Sequence, residues 1–188
     1  MPGDTRGRMI EATIEALERR GVAGMSFTEV LRASGAARGA IYHHFPDGKA
    51  QLVAEAAALK GEQVDDRLAA LPADDPATVV SAFLDLVRPV LELSACGGGC
   101  AVAAVTVGTE PGDDTALRAV AATAFTSWID RLAGRLVTAG LSSAAAADLA
   151  TTLITLLEGA HVLCRATGTL DPFDSVVRTA AGLTAQYG

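Results

Sequence analysis

Residues 26–49 read SFTEVLRASGAARGAIYHHFPDGK, and two short helical patterns meet within them at a glycine. Ser26 and Glu29 fit the Ser-x-x-Glu capping box, in which each side chain satisfies an amide left bare where a helix begins. Phe27, Val30 and Leu31 give that helix one apolar face. Ser34-Gly35 breaks it, because glycine takes the left-handed backbone of a helix end at little steric cost. A second helix is expected from Ala36 to His44, with Pro46 preventing its continuation. Ile41 and Phe45 stand four apart and anchor it inward. Gly39, Tyr42 and His43 point away from that seam, with Arg38 at its edge. Two helices joined by a tight glycine turn form a helix-turn-helix, whose second helix lies in the DNA major groove.

Working outward, Ile10, Thr13, Ile14 and Leu17 make the stripe of an amphipathic helix that Gly21 ends. The three helices share a small cluster of Ile14, Leu17, Phe27, Val30, Ile41 and Phe45. Arg6 and Arg8 stand at the start, and two readings stay open for them: phosphate contact or plain solvation. Asp47 is placed to cap a fourth helix running to about Leu71.

These residues carry a close resemblance. An arginine-bearing first helix ending Glu18-Arg-Arg-Gly21, then Ser26-Phe-Thr-Glu-Val30, then Arg38-Gly-Ala-Ile-Tyr-His-His-Phe-Pro46 resemble the DNA-binding domain of the tetracycline-repressor (TetR) family of bacterial regulators. The usual family turn is Phe-Pro-x-Lys; this chain has one residue more, Phe45-Pro-Asp-Gly-Lys49. That longer turn resembles the LmrA/YxaF-like subgroup of lincomycin-resistance and flavonoid-responsive repressors. So do Gly98 to Glu110 (GGCAVAAVTVGTE) and Leu157 to Ala166 (LEGAHVLCRA).

The resemblance implies double-stranded DNA as partner and Ser26, Thr28, Arg38, Gly39, Tyr42, His43, His44 and Lys49 as its contacts. Arg38 suits a phosphate or a guanine edge. Gly39 lets the backbone approach closely. Tyr42 offers a hydroxyl and a ring edge, and the two histidines can donate. Lys49 would face the DNA backbone. Ala36 and Ala37 occupy positions where family members often carry hydroxyls.

Charge is compatible with this. Of the net −7, residues 1–60 hold eight Lys/Arg against seven Asp/Glu, or +1; residues 61–188 hold seven against fifteen, or −8. The acidic excess therefore lies outside the motif, which can still present local positive charge. No uninterrupted apolar run reaches the roughly 18 residues of a membrane span. The start Met-Pro-Gly-Asp-Thr-Arg lacks the apolar core of a secretion signal. With three cysteines, a cytoplasmic setting is expected.

After Pro72-Ala-Asp-Asp-Pro76, the pattern stays helical: 77–94 with a kink expected at Pro89, a short piece from Cys100 to Val107, then 114–138, 142–167 and 171–187. The expected fold is all-α, a three-helix helix-turn-helix domain (1–48), a connecting helix (49–71) and a helical bundle for ligand binding and dimerisation (72–188). Leu153, Leu157, Ala160 and Cys164 are candidates to pack against Val176, Val177, Ala180 and Leu183 in a homodimer, or else to form the monomer's own core. Phe83, Val87, Cys100, Phe125 and Trp128 are candidate lining for a small apolar effector, with Glu158 and His161 as polar anchors. Each of these also fits an ordinary core.

Cys96-Gly-Gly-Gly-Cys100 has no second cysteine pair and no nearby histidine, so it falls short of zinc spacing; the glycines read as a flexible break. No metal, cofactor or catalytic residue is expected. The expected function is a dimeric, ligand-released repressor on a palindromic operator. The alternatives are a regulator switched by thiol oxidation, and a small helical enzyme using Cys96, Cys100, Glu158 or His161.

Overall fold

The computed structural model describes residues 4–107 and 115–187, which are helices and turns with no strand among them. Asp114, expected to open a helix, lies outside the described residues, as does the Gly108-Thr109-Glu110 end of the resembling stretch.

Among the described residues the elements are α1 (Thr5–Gly24), α2 (Phe27–Ser34), α3 (Ala40–His44), α4 (Gly48–Ala69), α5 (Pro76–Ala95), α6 (Ala101–Val107), α7 (Thr115–Thr138), α8 (Ser143–Thr167) and α9 (Asp171–Tyr187). Their starts follow from short polar side chains. Asp4 accepts the Gly7 amide at 2.9 Å, Ser26 that of Glu29 at 3.3 Å, Asp75 that of Thr78 at 2.9 Å and Ser142 that of Ala145 at 3.3 Å. Each such cap contributes about 1 kcal/mol to its helix. α5 runs unbroken through Pro89.

The helices form two compact units, Met1–Gly61 with Cys100–Thr123, and Glu62–Gly99 with Ala124–Gly188. These cut the chain differently from 1–48, 49–71 and 72–188. α6 packs on α1, burying Ala101, Val102 and Val105, so this stretch joins the first unit. α4 and α7 each contribute residues to both.

In the first unit, Met9, Leu17, Val30, Ile41, Phe45, Leu52 and Val53 fill the interior. Full burial of Phe45 alone is worth roughly 1.5–3 kcal/mol. Phe27, expected in this cluster, is only half-buried; its ring meets Tyr42 edge-on at 6.4 Å. In the second unit α5, α8 and α9 pack on one another around Phe83, Leu91, Leu149, Leu153 and Phe173. α8 is long and apolar enough to cross a membrane by length and composition. Its buried face, from Ala146 to Cys164, is that of a core helix.

Two turns differ from expectation. The helix after Gly35 begins at Ala40, not Ala36. Gly35 is left-handed (φ 66°), and its amide and that of Ala36 both return to the Leu31 carbonyl, so residues 36–39 serve the turn. The Cys96–Gly99 stretch is a built reversal, not a flexible break. The Cys96, Gly97 and Gly98 amides all bond back to the last carbonyls of α5. A Cβ on Gly98 would come within 2.8 Å of the Leu93 carbonyl oxygen, so only glycine fits.

Candidate nucleic-acid interface

α3 is short and amphipathic, and its two faces separate cleanly. Ile41 and Phe45 are buried, while Tyr42 is 68% exposed beside an exposed His43. Arg38 and Gly39, in the turn before α3, are exposed as well, and so are Ser26 and Thr28 at the start of α2. Of the expected contacts, these six lie open to solvent. The His44 ring is half-buried, edge-on to Phe45 at 6.5 Å and to His43 at 5.1 Å.

Lys49 is placed differently. Its Nζ donates to the Met25 carbonyl at 2.9 Å in a part-buried position. The capping box is also only half formed: Ser26 Oγ takes the Glu29 amide, but the Glu29 carboxylate turns to Arg20 at 3.0 Å. At the start of α4, where Asp47 was expected to cap, the Asp47 amide donates to the Gln51 side chain at 3.0 Å.

Arg6 and Arg8 are engaged within the unit. Arg6 pairs with Glu55 and lies 5.1 Å from the Phe45 ring centre; Arg8 Nε donates to the Ser34 carbonyl at 3.0 Å. Arg8 borders an open groove with Asp4, Glu11 and Glu15. Three carboxylates against one arginine make that groove unsuited to a polyanion. Arg32 was missed. It is exposed one turn beyond Thr28 on α2 and enters no ion pair among the described residues. The i, i+4 spacing from Thr28 was the signal available.

In the second unit, Phe83, Val87, Trp128 and His161 are buried, and Phe125 and Glu158 are half-buried. Phe125 meets Trp128 edge-on at 5.1 Å. His161 Nδ1 lies 2.7 Å from the Ser94 hydroxyl, which sequence reasoning passed over as an ordinary helix serine. Cys100 belongs to the other unit, where its sulfur accepts the Ala103 amide at 3.3 Å.

For the residues proposed either for a dimer seam or for the monomer's own core, burial differs from residue to residue. Leu153, Leu157, Ala160, Cys164 and Ala180 are buried within the single chain, as the core alternative expects. Val176, Val177 and Leu183 keep partial exposure. The exposed stripe of α8 is Thr155, Gly159, Val162, Leu163 and Ala166, with Val162 67% and Leu163 55% exposed.

Asp65 on α4 accepts from Ser127 Oγ at 2.6 Å and from Arg131 Nε and Nη2 at 3.1 and 2.8 Å. The Arg131 hydrogen bond chiefly holds its carboxyl below the ordinary value, against the opposing effect of burial.

With this geometry in place, similarity to known proteins is informative. Residues 9–56 match the family model described as bacterial regulatory proteins, tetR family, and residues 76–179 that of the C-terminal domain of LmrA/YxaF-like transcriptional regulators. An uncharacterized HTH-type transcriptional regulator of Mycobacterium tuberculosis (strain ATCC 25618 / H37Rv) is 34% identical over 179 residues, covering 92% of this chain and 90% of that one. The HTH-type transcriptional regulator LmrA of Bacillus subtilis (strain 168) is 26% identical over 167 residues, covering 86% of each. Among solved structures, the regulatory protein TetR from Rhodobacter sphaeroides superposes with a TM-score of 0.81 at 23% identity, covering 95% of this chain and 98% of that one. A TetR transcriptional regulator from Legionella pneumophila gives 0.82 at 19% identity, covering 99% and 98%.

Proposed function

The chain belongs to the tetR family of bacterial regulatory proteins, with a C-terminal domain of the LmrA/YxaF-like kind, and from that premise we propose that this DNA-binding transcriptional regulator is a cytoplasmic, ligand-released repressor. A homodimer holds a palindromic operator with two copies of α3, and a small apolar effector bound by the second unit lowers its affinity for DNA. The observation that carries this reading is the two-faced α3: Ile41 and Phe45 are locked into the core, while Tyr42 and His43, with Arg38 and Gly39 just before them, are offered outward. A helix so anchored presents a rigid set of donors and a ring to a major groove.

One such helix makes few contacts. Two, set about 34–36 Å apart, read successive turns of the duplex and require a two-fold operator. The α8 stripe supports a second copy as partner. Val162 and Leu163 expose apolar area that a monomer would leave in water, and a Cβ at Gly159 would meet nothing within 4 Å, so another helix can come close there. Release by an effector requires that it bind the DNA-incompetent conformation better than the competent one. The Phe125–Trp128 pair and the Ser94–His161 pair are the apolar and polar features best suited to such a ligand.

The test is selection of duplexes from fragmented genomic DNA, followed by reporter assays from the recovered promoter. Recovery of a two-fold sequence and rising reporter output on deleting the regulator are expected. Recovery of no preferred sequence refutes operator binding, and falling output on deletion refutes repression.

A further inference from the structure

We propose that Lys49 is a positioning residue for DNA recognition, its ammonium fixing the start of α2 on the first turn of α4 instead of neutralising a phosphate. The inference rests on the reading that the first unit binds DNA.

Lys49 Nζ donates to the Met25 carbonyl at 2.9 Å, across 24 residues of chain. Met25 is 3% exposed and sits in extended backbone (φ −77°, ψ 132°) between α1 and the N-cap Ser26. The helical ladder of α2 begins one residue later, where the Val30 amide takes the Ser26 carbonyl. The Met25 oxygen therefore lies outside that ladder, and a cationic donor satisfies it with a stronger bond than a neutral one would make.

The link also has a place in a larger pattern. Glu55 of α4 pairs with Arg6 of α1, and Lys60 of α4 pairs with Glu18 of α1 at 2.8 Å. Those two ion pairs join α4 to α1 alone. The Lys49 bond reaches the segment between α1 and α2, so a shift of the first turn of α4 acts directly on the cap of α2. That cap carries Ser26 and Thr28 and lies beside the Phe27–Tyr42 ring contact. A displacement of the first turn of α4 thus has a hydrogen-bonded route to Ser26 and Thr28 through one lysine.

Salt dependence separates positioning from phosphate contact, because each neutralised phosphate adds roughly 0.9 to the slope of log affinity against log salt. The experiment uses the full-length protein and a fluorescein-labelled operator selected from a randomised palindromic library, titrated between about 50 and 300 mM KCl. Lys49→Met is expected to weaken binding roughly tenfold at every salt concentration, the order of one lost charge-assisted bond, with the slope unchanged. Amide hydrogen exchange at Thr28, Glu29 and Val30 should quicken in the DNA-free variant. Lys49→Gln, equally uncharged, reads the same slope if the Met variant folds poorly. A slope flattened by about 2 per dimer, unchanged affinity, or unchanged exchange each overturns the proposal. If the wild type binds no duplex, the DNA reading fails, and the exchange comparison still decides whether Lys49 holds α2.

Discussion

Ser94 Oγ and His161 Nδ1 lie 2.7 Å apart inside the second unit, one on α5 and the other on α8. The serine hydroxyl also lies 3.0 Å from the Val90 carbonyl, so its one proton is shared between that carbonyl and the imidazole nitrogen as acceptors, or goes to the carbonyl while Nδ1–H donates to the oxygen. The pair is a polar rivet between two otherwise apolar helix faces. Ser94→Ala removes the hydroxyl that His161 Nδ1 meets in the interior and is expected to cost about 1–3 kcal/mol, read as a lowered urea midpoint at unchanged m-value. An unchanged midpoint would show that the rivet bears no load.

Tyr42 and Arg38 are exposed, so their loss should touch DNA binding and spare the fold. Tyr42→Ala is expected to weaken operator binding roughly tenfold while unfolding shifts by less than about 0.5 kcal/mol. Arg38→Ala should lower affinity and flatten the salt slope by about 1 per subunit if it meets a phosphate. Fluorescence anisotropy and thermal melts of the same samples check both.

Much of this was legible beforehand. The alternation of Ile41 and Phe45 with Tyr42 and His43 fixed which face of α3 is outward, because a five-residue helix held by an anchor pair four apart has one orientation. The cap at Ser26 was readable for the same local reason. What escaped depends on neighbours distant in sequence. Nothing near Lys49 signals that its partner is the Met25 carbonyl, and Ser94 acquires a role only when α8 brings His161 beside it. Sequence alone left Leu153, Leu157 and Cys164 open between a seam and the monomer's core; they are buried in the single chain, which claims the more apolar side of α8.

The exposed stripe of α8 yields a further expectation. Leu163→Glu, at a 55% exposed position, should leave the monomer folded and place a charge in the seam. Sedimentation velocity is expected to show a shift from dimer to monomer, with operator binding lost in parallel. A variant that stays dimeric would move the interface elsewhere.

Asp65 sets a pH dependence whose sign can be worked out. Folding lowers its carboxyl below the ordinary 3.8, chiefly through the Arg131 hydrogen bond. A depressed native value stabilises the fold above the unfolded value, and that contribution is lost as pH falls through the native one. Asp65→Asn is expected to lower the melting temperature by about 2–4 °C at pH 7. The gap from wild type should narrow as melts are repeated from about pH 5 downward. A gap that widened in acid would contradict this assignment.

The most direct measurement is sedimentation equilibrium of the purified protein with a palindromic operator duplex at low salt. Two chains should bind each duplex, and the complex should dissociate steeply as KCl is raised. A protein that remains a single chain and leaves every two-fold duplex unbound under those conditions contradicts the account.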